Sequence, residues 1–407
     1  MNVEKQNYYV RLTLKDRVDP GNNNEPFYLP ELNLISLVIK ENVLSILPRI
    51  ELIITDKGTL FETYPLLDGE RLNVKLSTSK TDEDIMLDCD FLLSDFEVSP
   101  NTGNLSSVFR IIGTLYTEDM FFPSITRTFN NTSVEIFRQL TNEFGYKFVN
   151  PHNIVSNDNM RWYQLSSNKY DFIKHLLQKS YMNKDSIFYY ANTQNEFVCT
   201  SLNNEMNKEA TFEAKYDRDF AQLNSMGGEL QNYIFYDHYD VRNLVGLYHK
   251  MTKYGQGFEG YNLKGNMFDG YSVPRNKMTE LFNKDKQYDN NFSSKLDVGT
   301  IRSNPNLFPR YDMSRSQNNT LRRDFFAQSL SLSVNALTNA KLFDKVNVSI
   351  PSILVNKSRI INDVYSGYYL ITGITHTVTT NNIYKKQLLL SRNGINKSEF
   401  EQEYRVN

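Results

Sequence analysis

The most ligand-like group of side chains in the sequence is His238 with Asp237 and Asp240, and His249 follows on the same stretch. Imidazole and carboxylate groups bind divalent metals, but a metal site needs three or four convergent ligands that are themselves held by hydrogen bonds. These residues lie between Tyr-rich stretches that predict strands, where a polar turn is the more common structure. We therefore expect a solvated turn and no metal site here.

Two other clusters have the composition of an ion or phosphate site but lack part of the pattern that such a site requires. The acidic run Asp82–Asp84 does not follow the ligand pattern of an EF-hand loop, so we expect a solvated turn between strands. Gly255, Gly257 and Gly260 lie in a Tyr-rich stretch, and no predicted helix follows them to bind a phosphate. The sequence also lacks a P-loop and the hydrolase motifs G-x-S-x-G and H-E-x-x-H.

The remaining chemically versatile side chains are expected to be structural. Cys89 and Cys199 each fall on the apolar face of a predicted strand, without the basic neighbours that produce a reactive thiolate. His376 lies on the apolar face of the last predicted hairpin, where a hydrogen-bonded structural histidine is more common than a catalytic base. The single tryptophan, Trp162, is expected in the core. We therefore predict no catalytic residue, no metal and no cofactor, in a chain that is not an enzyme.

Composition narrows the class of protein further. Lys and Arg total 45 against 47 Asp and Glu, so the net charge of −2 lacks the basic surplus typical of nucleic-acid binding. Two cysteines exclude a disulfide framework, and no apolar run is long enough to span a membrane. The N-terminal sequence MNVEKQNYYV lacks the apolar segment of a secretion signal. With 47 Asn and only 7 Ala, long helices are disfavoured, whereas 26 Tyr and 26 Phe favour strands.

The length of 407 residues predicts two or three domains, of which residues 1–118 form the first. Apolar and polar residues alternate with period two along 8–15, 71–77 and 87–93, as in strands with one buried face. Several such strands with short turns predict a small β-barrel over 1–118. We expect residues 208–240 to complete this first barrel.

Residues 119–207 change pattern and predict an inserted α+β domain. Thr132-Ser-Val-Glu135 is typical of a capping box, which predicts that a helix begins at Thr132. Gly145 is placed to end that helix, and a second helix is predicted to begin near Asn168. A hairpin over 187–200 completes the predicted insert.

Residues 241–395 predict a second β-barrel, which a long irregular excursion over 256–318 interrupts. The clearest predicted element is the closing hairpin, with strands at 368–378 and 384–392. Residues 396–407 predict a charged tail. The predicted fold class is therefore mainly β, with two similar small β-barrels and an α+β insert.

Several segments resemble the baseplate or tail hub proteins of contractile-tailed phages and related injection machines. The closing hairpin GYYLITGITHTVTTNNIYKKQLLLSRN (Gly367–Asn393) has an apolar entry, a His in its first strand, an Asn-rich turn and a Tyr that begins the return strand. Met120-Phe-Phe-Pro123 resembles the family's entry to its inserted domain. The segment Arg161–Leu202, with an aromatic hairpin after a helix, is similar, and so is Arg322-Arg323-Asp324 before a strand.

The resemblance implies a fold and a set of partners. Hub proteins of this family carry two similar tail-tube-like barrels per subunit, so three subunits form a homotrimer with a pseudo-sixfold ring. Such a ring adapts the hexameric tail tube to the trimeric spike and lets DNA pass. The implied partners are the tail tube protein, the spike and the surrounding baseplate proteins, without sequence-specific nucleic acid and without stable membrane insertion. The implied location is the tail baseplate of the virion, after assembly in the host cytoplasm.

Two other functions remain open from the sequence. A tail-associated hydrolase of cell wall or glycan would release sugar or peptide from purified wall. The only spare length for its active site is 256–318, which has no defensible acid–base pair. A carbohydrate- or host-receptor-binding β protein would use its many tyrosines as stacking platforms and would bind glycan saturably.

Overall fold

The computed structural model describes most of the chain. The described residues are 8–18, 26–29, 33–56, 61, 65–67, 69–78, 85–101, 106–183, 185–217, 232–243, 257–261, 271–272, 295–300, 314–315, 318–319, 321–322, 325–326, 328–334, 338–352, 361–362, 365–380 and 383–392. The predictions for Asp82–Asp84, His249, Gly255, the tail 396–407 and much of 256–318 lie outside these residues.

Seven strands form the first β unit. They are β1 (Tyr9–Val18), β2 (Pro26–Leu29), β3 (Leu34–Asn42), β4 (Arg49–Asp56), β5 (Arg71–Ser77), β6 (Ile85–Asn101) and β7 (Ser106–Leu115). Their order in the sheet is β3-β4-β7-β6-β5-β1-β2, and every neighbouring pair is antiparallel. The predicted period of two is observed: β1 buries Val10, Leu12 and Leu14, and each such side chain contributes about 1.5–3 kcal/mol. Among the described strands β2 pairs with β1 alone, so the described ladder of this unit stays open at β2.

The described part of the insert contains three helices and two small sheets. Its elements are β8 (Ile125–Asn131), α1 (Ser133–Glu143), β9 (Lys147–Val149), β10 (Met160–Ser167), α2 (Lys169–Lys179), β11 (Ile187–Ala191), β12 (Glu196–Ser201) and α3 (Leu202–Asn207). β8 pairs with β10, and β12 pairs with β11 and β9. The side chain of Asn168 accepts a hydrogen bond from Asp171 N at 2.7 Å, which caps α2 at the predicted start.

The N-terminus of α1 lies where the sequence predicts it, but its cap differs. Thr132 makes no side-chain capping hydrogen bond, so the predicted capping box is wrong. Asp158 takes its place: its carboxylate accepts from Ser133 N at 2.9 Å and from Ser133 Oγ at 2.6 Å. A carboxylate satisfies a free N–H of the first turn and also carries the charge that the helix dipole favours.

Six strands of the C-terminal part close into a barrel. The strands after the insert are β13 (Phe212–Tyr216), β14 (Tyr233–Asn243), β15 (Gly257–Tyr261), β16 (Tyr271–Ser272), β17 (Lys295–Thr300), β18 (Gln328–Val334), β19 (Lys345–Ser349), β20 (Gly367–Thr379) and β21 (Ile383–Arg392). The barrel follows the order β20-β21-β18-β14-β13-β19, and β19 pairs back with β20. β15, β16 and β17 form a separate three-stranded sheet inside 256–318.

The span 208–240 does not complete the first β unit, contrary to the prediction. Its strands β13 and β14 pair in parallel with each other, β13 pairs with β19, and β14 pairs with β18, all within the closed barrel. Apolar periodicity predicts that a strand exists, but its partner is set by contacts far along the chain. The mainly β fold class with an α+β insert is confirmed, whereas the domain bounds 1–118, 119–207 and 241–395 stay predictions.

Strand β20 belongs to both β units. Its first residues, Gly367–Leu370, pair with β19 inside the barrel, and Gly373–Thr379 pair with β3 of the first unit. Gly373 permits this close approach, because a Cβ at that position would lie 3.2 Å from Leu389 Cβ and 3.3 Å from Glu41 O. The two units are therefore continuous through one 13-stranded sheet.

Two hydrophobic clusters fill the molecule. One extends from the first β unit into the insert and contains Trp162, Cys89 and Cys199, whereas the other fills the closed barrel. Trp162 is 1% exposed, and both cysteines are buried free thiols, so the predictions for these three residues are confirmed. Within the described part of the chain, none of the helices has the length and apolar character that crossing a membrane requires.

Candidate functional site at the junction of the β units

The histidine–aspartate group that resembled a metal site lies on a strand and not in the expected turn. His238 and Asp240 are exposed residues of β14, with Nε2 3.6 Å from Oδ2, because this strand continues along β18 through both positions. An exposed pair of this kind adds little to stability. Among the described residues, no three potential metal ligands converge.

A cavity of about 500 Å³ lies where the first β unit, the insert and the closed barrel meet. Its wall is built by β3 and β6 from the first unit, by the β11–β12 hairpin and α3 from the insert, and by β20, β21 and 338–344 from the barrel part. Carboxylate, imidazole and ammonium groups face it beside apolar side chains. It is therefore the place in the described structure where buried polar groups from all three units converge.

Glu41 of β3 is a buried carboxylate that connects the three units. It accepts hydrogen bonds from Thr193 N at 3.0 Å and from Thr193 Oγ1 at 2.9 Å. Nε2 of His376 on β20 lies 3.2 Å from the same carboxylate, and Nδ1 of His376 lies 2.6 Å from the Tyr384 hydroxyl. Burial alone would raise the pKa of Glu41, but the hydrogen bonds from His376 and Thr193 outweigh burial and hold the pKa below its ordinary value. His376 thus has the hydrogen-bond partners expected of a structural histidine.

Glu205 of α3 is a second buried carboxylate in the cavity wall. Its Oε1 accepts from the Thr200 hydroxyl at 2.5 Å and lies 3.1 Å from His152 Nε2, and its Oε2 lies 2.7 Å from Lys208 Nζ. The end of α3 is held to the barrel by Lys345 of β19, which donates to Lys208 O at 3.0 Å. The insert is therefore joined to the barrel by a hydrogen bond from a lysine side chain to the backbone as well as by apolar packing.

Lys386 of β21 brings an ammonium group into the same cavity wall. Its side chain is buried, and Nζ donates to Thr338 O at 2.6 Å. Burial lowers the pKa of Lys386 to about 8, because a buried ammonium loses its hydration. At neutral pH the group is still mainly charged.

The geometry of the cavity favours fastening or binding over covalent chemistry. Burial raises the pKa of the Tyr384 hydroxyl and of the Cys89 thiol, so neither is activated as a nucleophile. Cys89 Sγ instead donates to Thr193 O at 3.0 Å. The groups in the wall can hold charges and hydrogen bonds in fixed positions.

Glu41 and Lys386 escape prediction from local motifs, although each leaves a signal. Glu41 follows Leu37 and Ile39 on the buried side of β3. Lys386 stands between Tyr384 and Leu388 on the buried side of β21. A charged residue on the apolar side of a predicted strand indicates a buried polar contact. The pattern does not show which residue makes that contact.

A second junction fastens the insert to the barrel through Arg322. Its guanidinium is buried and donates to Ser186 Oγ at 3.1 Å, Leu177 O at 3.3 Å and Ile187 O at 2.6 Å. It also lies over the Phe188 ring, 5.1 Å from the centroid. Burial lowers the pKa of Arg322 to about 10, which leaves it charged at neutral pH. Asn318 Nδ2 donates to Ser180 O at 2.7 Å beside it.

The insert exposes large apolar side chains. Tyr163 and Leu165 project from one face of β10, and Leu165 is 69% exposed. Phe122 and Val155 are exposed elsewhere on the insert. Exposed apolar groups of this size supply surface for protein contacts.

The fold resembles solved tail proteins. The tail protein from Neisseria meningitidis MC58 is 10% identical, with a TM-score of 0.51 over 96% of this chain and 98% of that one. The 43 kDa tail protein of prophage MuSo2 from Shewanella oneidensis is 11% identical, with a TM-score of 0.55 over 94% and 98%. A chain of the half-lidded Francisella PdpA-VgrG complex is 9% identical, with a TM-score of 0.50, and is matched over 59% of its length by 96% of this chain.

These likenesses confirm, at the level of the fold, the resemblance to tail hub proteins inferred from the sequence. At such low identity they show a shared fold and no more. No family model and no curated protein matches the sequence.

Proposed function

We propose that this protein is a structural hub of a phage tail baseplate, which adapts a hexameric tail tube to a trimeric spike. The observation that supports this most is the closed barrel continuous with a second β unit through β20, in a fold that tail proteins share along nearly their whole length. The proposed role is architectural and requires no catalysis. Its site is the virion tail, in an assembly completed in the host cytoplasm.

The proposed assembly is a homotrimer. Two β units per chain let three copies present six similar units, which suits a sixfold tube on one side and a threefold spike on the other. A closed ring needs heterologous contacts, in which two different surfaces of the chain meet. We assign one of them to the outer edge of β2, since β2 is the last strand of the described sheet and an edge strand is a ready surface for pairing.

The insert is assigned to the outside of the ring, where its exposed Tyr163 and Leu165 would meet neighbouring baseplate proteins. The central channel is proposed to let DNA pass. With 45 basic and 47 acidic residues, the chain has no overall positive charge that would retain DNA during passage.

The test is the mass and shape of the purified chain, with and without a trimeric spike protein. Three copies of the 47.5 kDa chain give particles of about 142 kDa, and electron-microscope class averages should show a ring with a central channel and six lobes. Rings that form only with the spike would mean that the spike drives closure. Compact single particles in both samples would contradict the proposal, and assays of wall hydrolysis and glycan binding would then decide between the other functions.

A further inference from the structure

The return strand of the closing hairpin carries a lysine in a core position. The buried side of β21 is formed by Tyr384, Lys386, Leu388 and Leu390. Three of these are typical core side chains, whereas the residue Lys386 carries an ammonium group and is only 7% exposed. Burying a charge is costly unless it is paired and hydrogen-bonded, so this lysine requires a partner.

The described structure supplies only one of the hydrogen-bond acceptors that the ammonium group of Lys386 can use. An ammonium group has three N–H donors, and Nζ of Lys386 makes one hydrogen bond, to Thr338 O at 2.6 Å. Among the described residues, no carboxylate oxygen lies within 4.0 Å of this Nζ. Two donors of this buried cation therefore have no described acceptor, and Lys386 lines the cavity.

Four carboxylates line the cavity, and each has a close partner other than Lys386. Glu196 lies 2.7 Å from Lys147 Nζ, and Asp344 accepts from Lys341 N at 2.8 Å. Glu41 accepts from Thr193 and lies 3.2 Å from His376 Nε2. Glu205 accepts from Thr200 and lies 2.7 Å from Lys208 Nζ. Each of these acidic groups thus has a partner at hydrogen-bond distance. Among the described residues Lys386 has no carboxylate within 4.0 Å, and Glu41 and Asp344 attract its charge from further away.

We propose that this cavity is a binding site for a carboxylate ligand, whose oxygens pair with the ammonium group of Lys386. The volume of about 500 Å³ lies within the ordinary range of small-ligand pockets. Leu87, Leu342 and Ile374 supply apolar wall against which a short aliphatic body packs. The ligand is therefore a short aliphatic acid or the side chain of an acidic residue from a peptide, and this inference does not depend on the adaptor role.

The experiment titrates the full chain at pH 6.5 with acetate, with glutarate and with a glutamate blocked at both termini. Calorimetry measures the heat of binding in each titration. The wild type should bind at least one of these carboxylates saturably. Lys386→Met removes the ammonium and keeps the length of the side chain, and should weaken binding about tenfold or more. Lys385→Met is the matched control, because Lys385 is the adjacent exposed residue of the same strand and should leave the affinity unchanged.

A second readout needs no variant. Bound carboxylate stabilises the ammonium form, so the pKa of Lys386, measured by NMR on the wild type, should rise when ligand is added. Binding of the blocked glutamate would indicate a protein segment as the source, and binding of the free acids alone would indicate a small molecule. The proposal is overturned if no carboxylate binds saturably, if Lys386→Met binds as tightly as the wild type, or if the pKa of Lys386 does not move.

Discussion

At the scale of single residues, Lys386 should lower the stability of the empty protein. Its pKa is about 8 in the folded chain against 10.5 for an ordinary lysine, so the unfolded state binds more protons between these values. The free energy of unfolding of the wild type should therefore rise as the pH increases from 8 towards 10.5. Lys386→Met should be about 1–3 kcal/mol more stable than the wild type at pH 7, and the difference should narrow at pH 10.

Urea unfolding at the two pH values measures this effect. Lys385→Met, on the exposed side of β21, should stay within about 0.5 kcal/mol of the wild type. A Lys386→Met variant less stable than the wild type at pH 7 would show that the ammonium is well compensated in the empty cavity.

The charge of Glu41 should raise the stability of the folded protein, in contrast to the charge of Lys386. Its pKa is lowered in the folded chain despite burial, because His376 and Thr193 stabilise the carboxylate. Its contribution to stability is then present at neutral pH and lost as the pH falls through the folded pKa. Glu41→Gln should cost about 2–4 kcal/mol at pH 7 and should flatten the acid limb of the stability profile.

The matched control for this prediction is Glu97→Gln. Glu97 forms an exposed ion pair with Arg110 at 3.2 Å, so its loss should cost less than about 1 kcal/mol. Acid and urea titrations of both variants make the comparison. Equal losses for the two glutamates would mean that Glu41 does not fasten the three units.

At this scale the sequence predicts side chains whose environment is local. Cys89 and Cys199 are predicted to be buried because each falls on the apolar face of a strand, and Trp162 is expected in the core as well; all three are buried. The partners of Glu41 are not predictable in this way, since Thr193 lies 152 residues and His376 335 residues along the chain. Only the folded topology brings them together.

At the scale of elements, the residue that caps α1 in the structure differs from the one that the sequence pattern predicts. Asp158 accepts from Ser133 N at 2.9 Å, from Ser133 Oγ at 2.6 Å and from Tyr181 N at 2.9 Å, whereas Thr132 makes no capping bond. Asp158→Ala should therefore destabilise the protein by about 2–3 kcal/mol, because it leaves buried N–H groups without an acceptor. Thr132→Ala should cost less than about 0.5 kcal/mol.

Urea midpoints of the two variants decide between the caps. A larger loss for Thr132→Ala would restore the capping box that the sequence predicts. The pattern misleads here because a distant carboxylate reaches the helix N-terminus and competes with the local hydroxyl.

Most elements are predictable because their signals are local. The start of α2, the β11–β12 hairpin and the β20–β21 hairpin follow from capping and from period-two alternation. The assignment of 208–240 fails because β13 has parallel partners on both sides, and parallel pairing joins strands that no short turn connects. Local sequence thus predicts where a strand lies, whereas its pairing partner depends on the fold of the whole chain.

At the scale of the whole molecule, Arg322 should control how firmly the insert is held. Its three hydrogen bonds go to Leu177 of α2, to Ser186 and to Ile187 of β11, all of which belong to the insert. Arg322→Gln is too short to make all three bonds, so amide hydrogen exchange in Ile187–Ala191 should become faster. Arg315→Gln, at an exposed position of the same segment, should leave exchange unchanged. Unchanged protection in Arg322→Gln would mean that apolar packing alone holds this junction.

The proposed ring gives the last prediction, which concerns the edge of β2. Tyr28 is an exposed residue of this strand and pairs across to Thr13 of β1. A lysine on an edge strand opposes pairing with another chain, so Tyr28→Lys should shift the trimer of about 142 kDa towards folded monomers of 47.5 kDa. Tyr163→Lys makes the same exchange on the outer face of the insert and should leave the trimer intact.

Mass photometry of the two variants, with the spike present if the wild type requires it, separates the surfaces. A trimer that survives Tyr28→Lys would move the contact away from β2, and a monomer in Tyr163→Lys would place the insert inside the ring. The comparison is informative because both changes replace an exposed tyrosine with the same charge, so any difference in assembly comes from position alone.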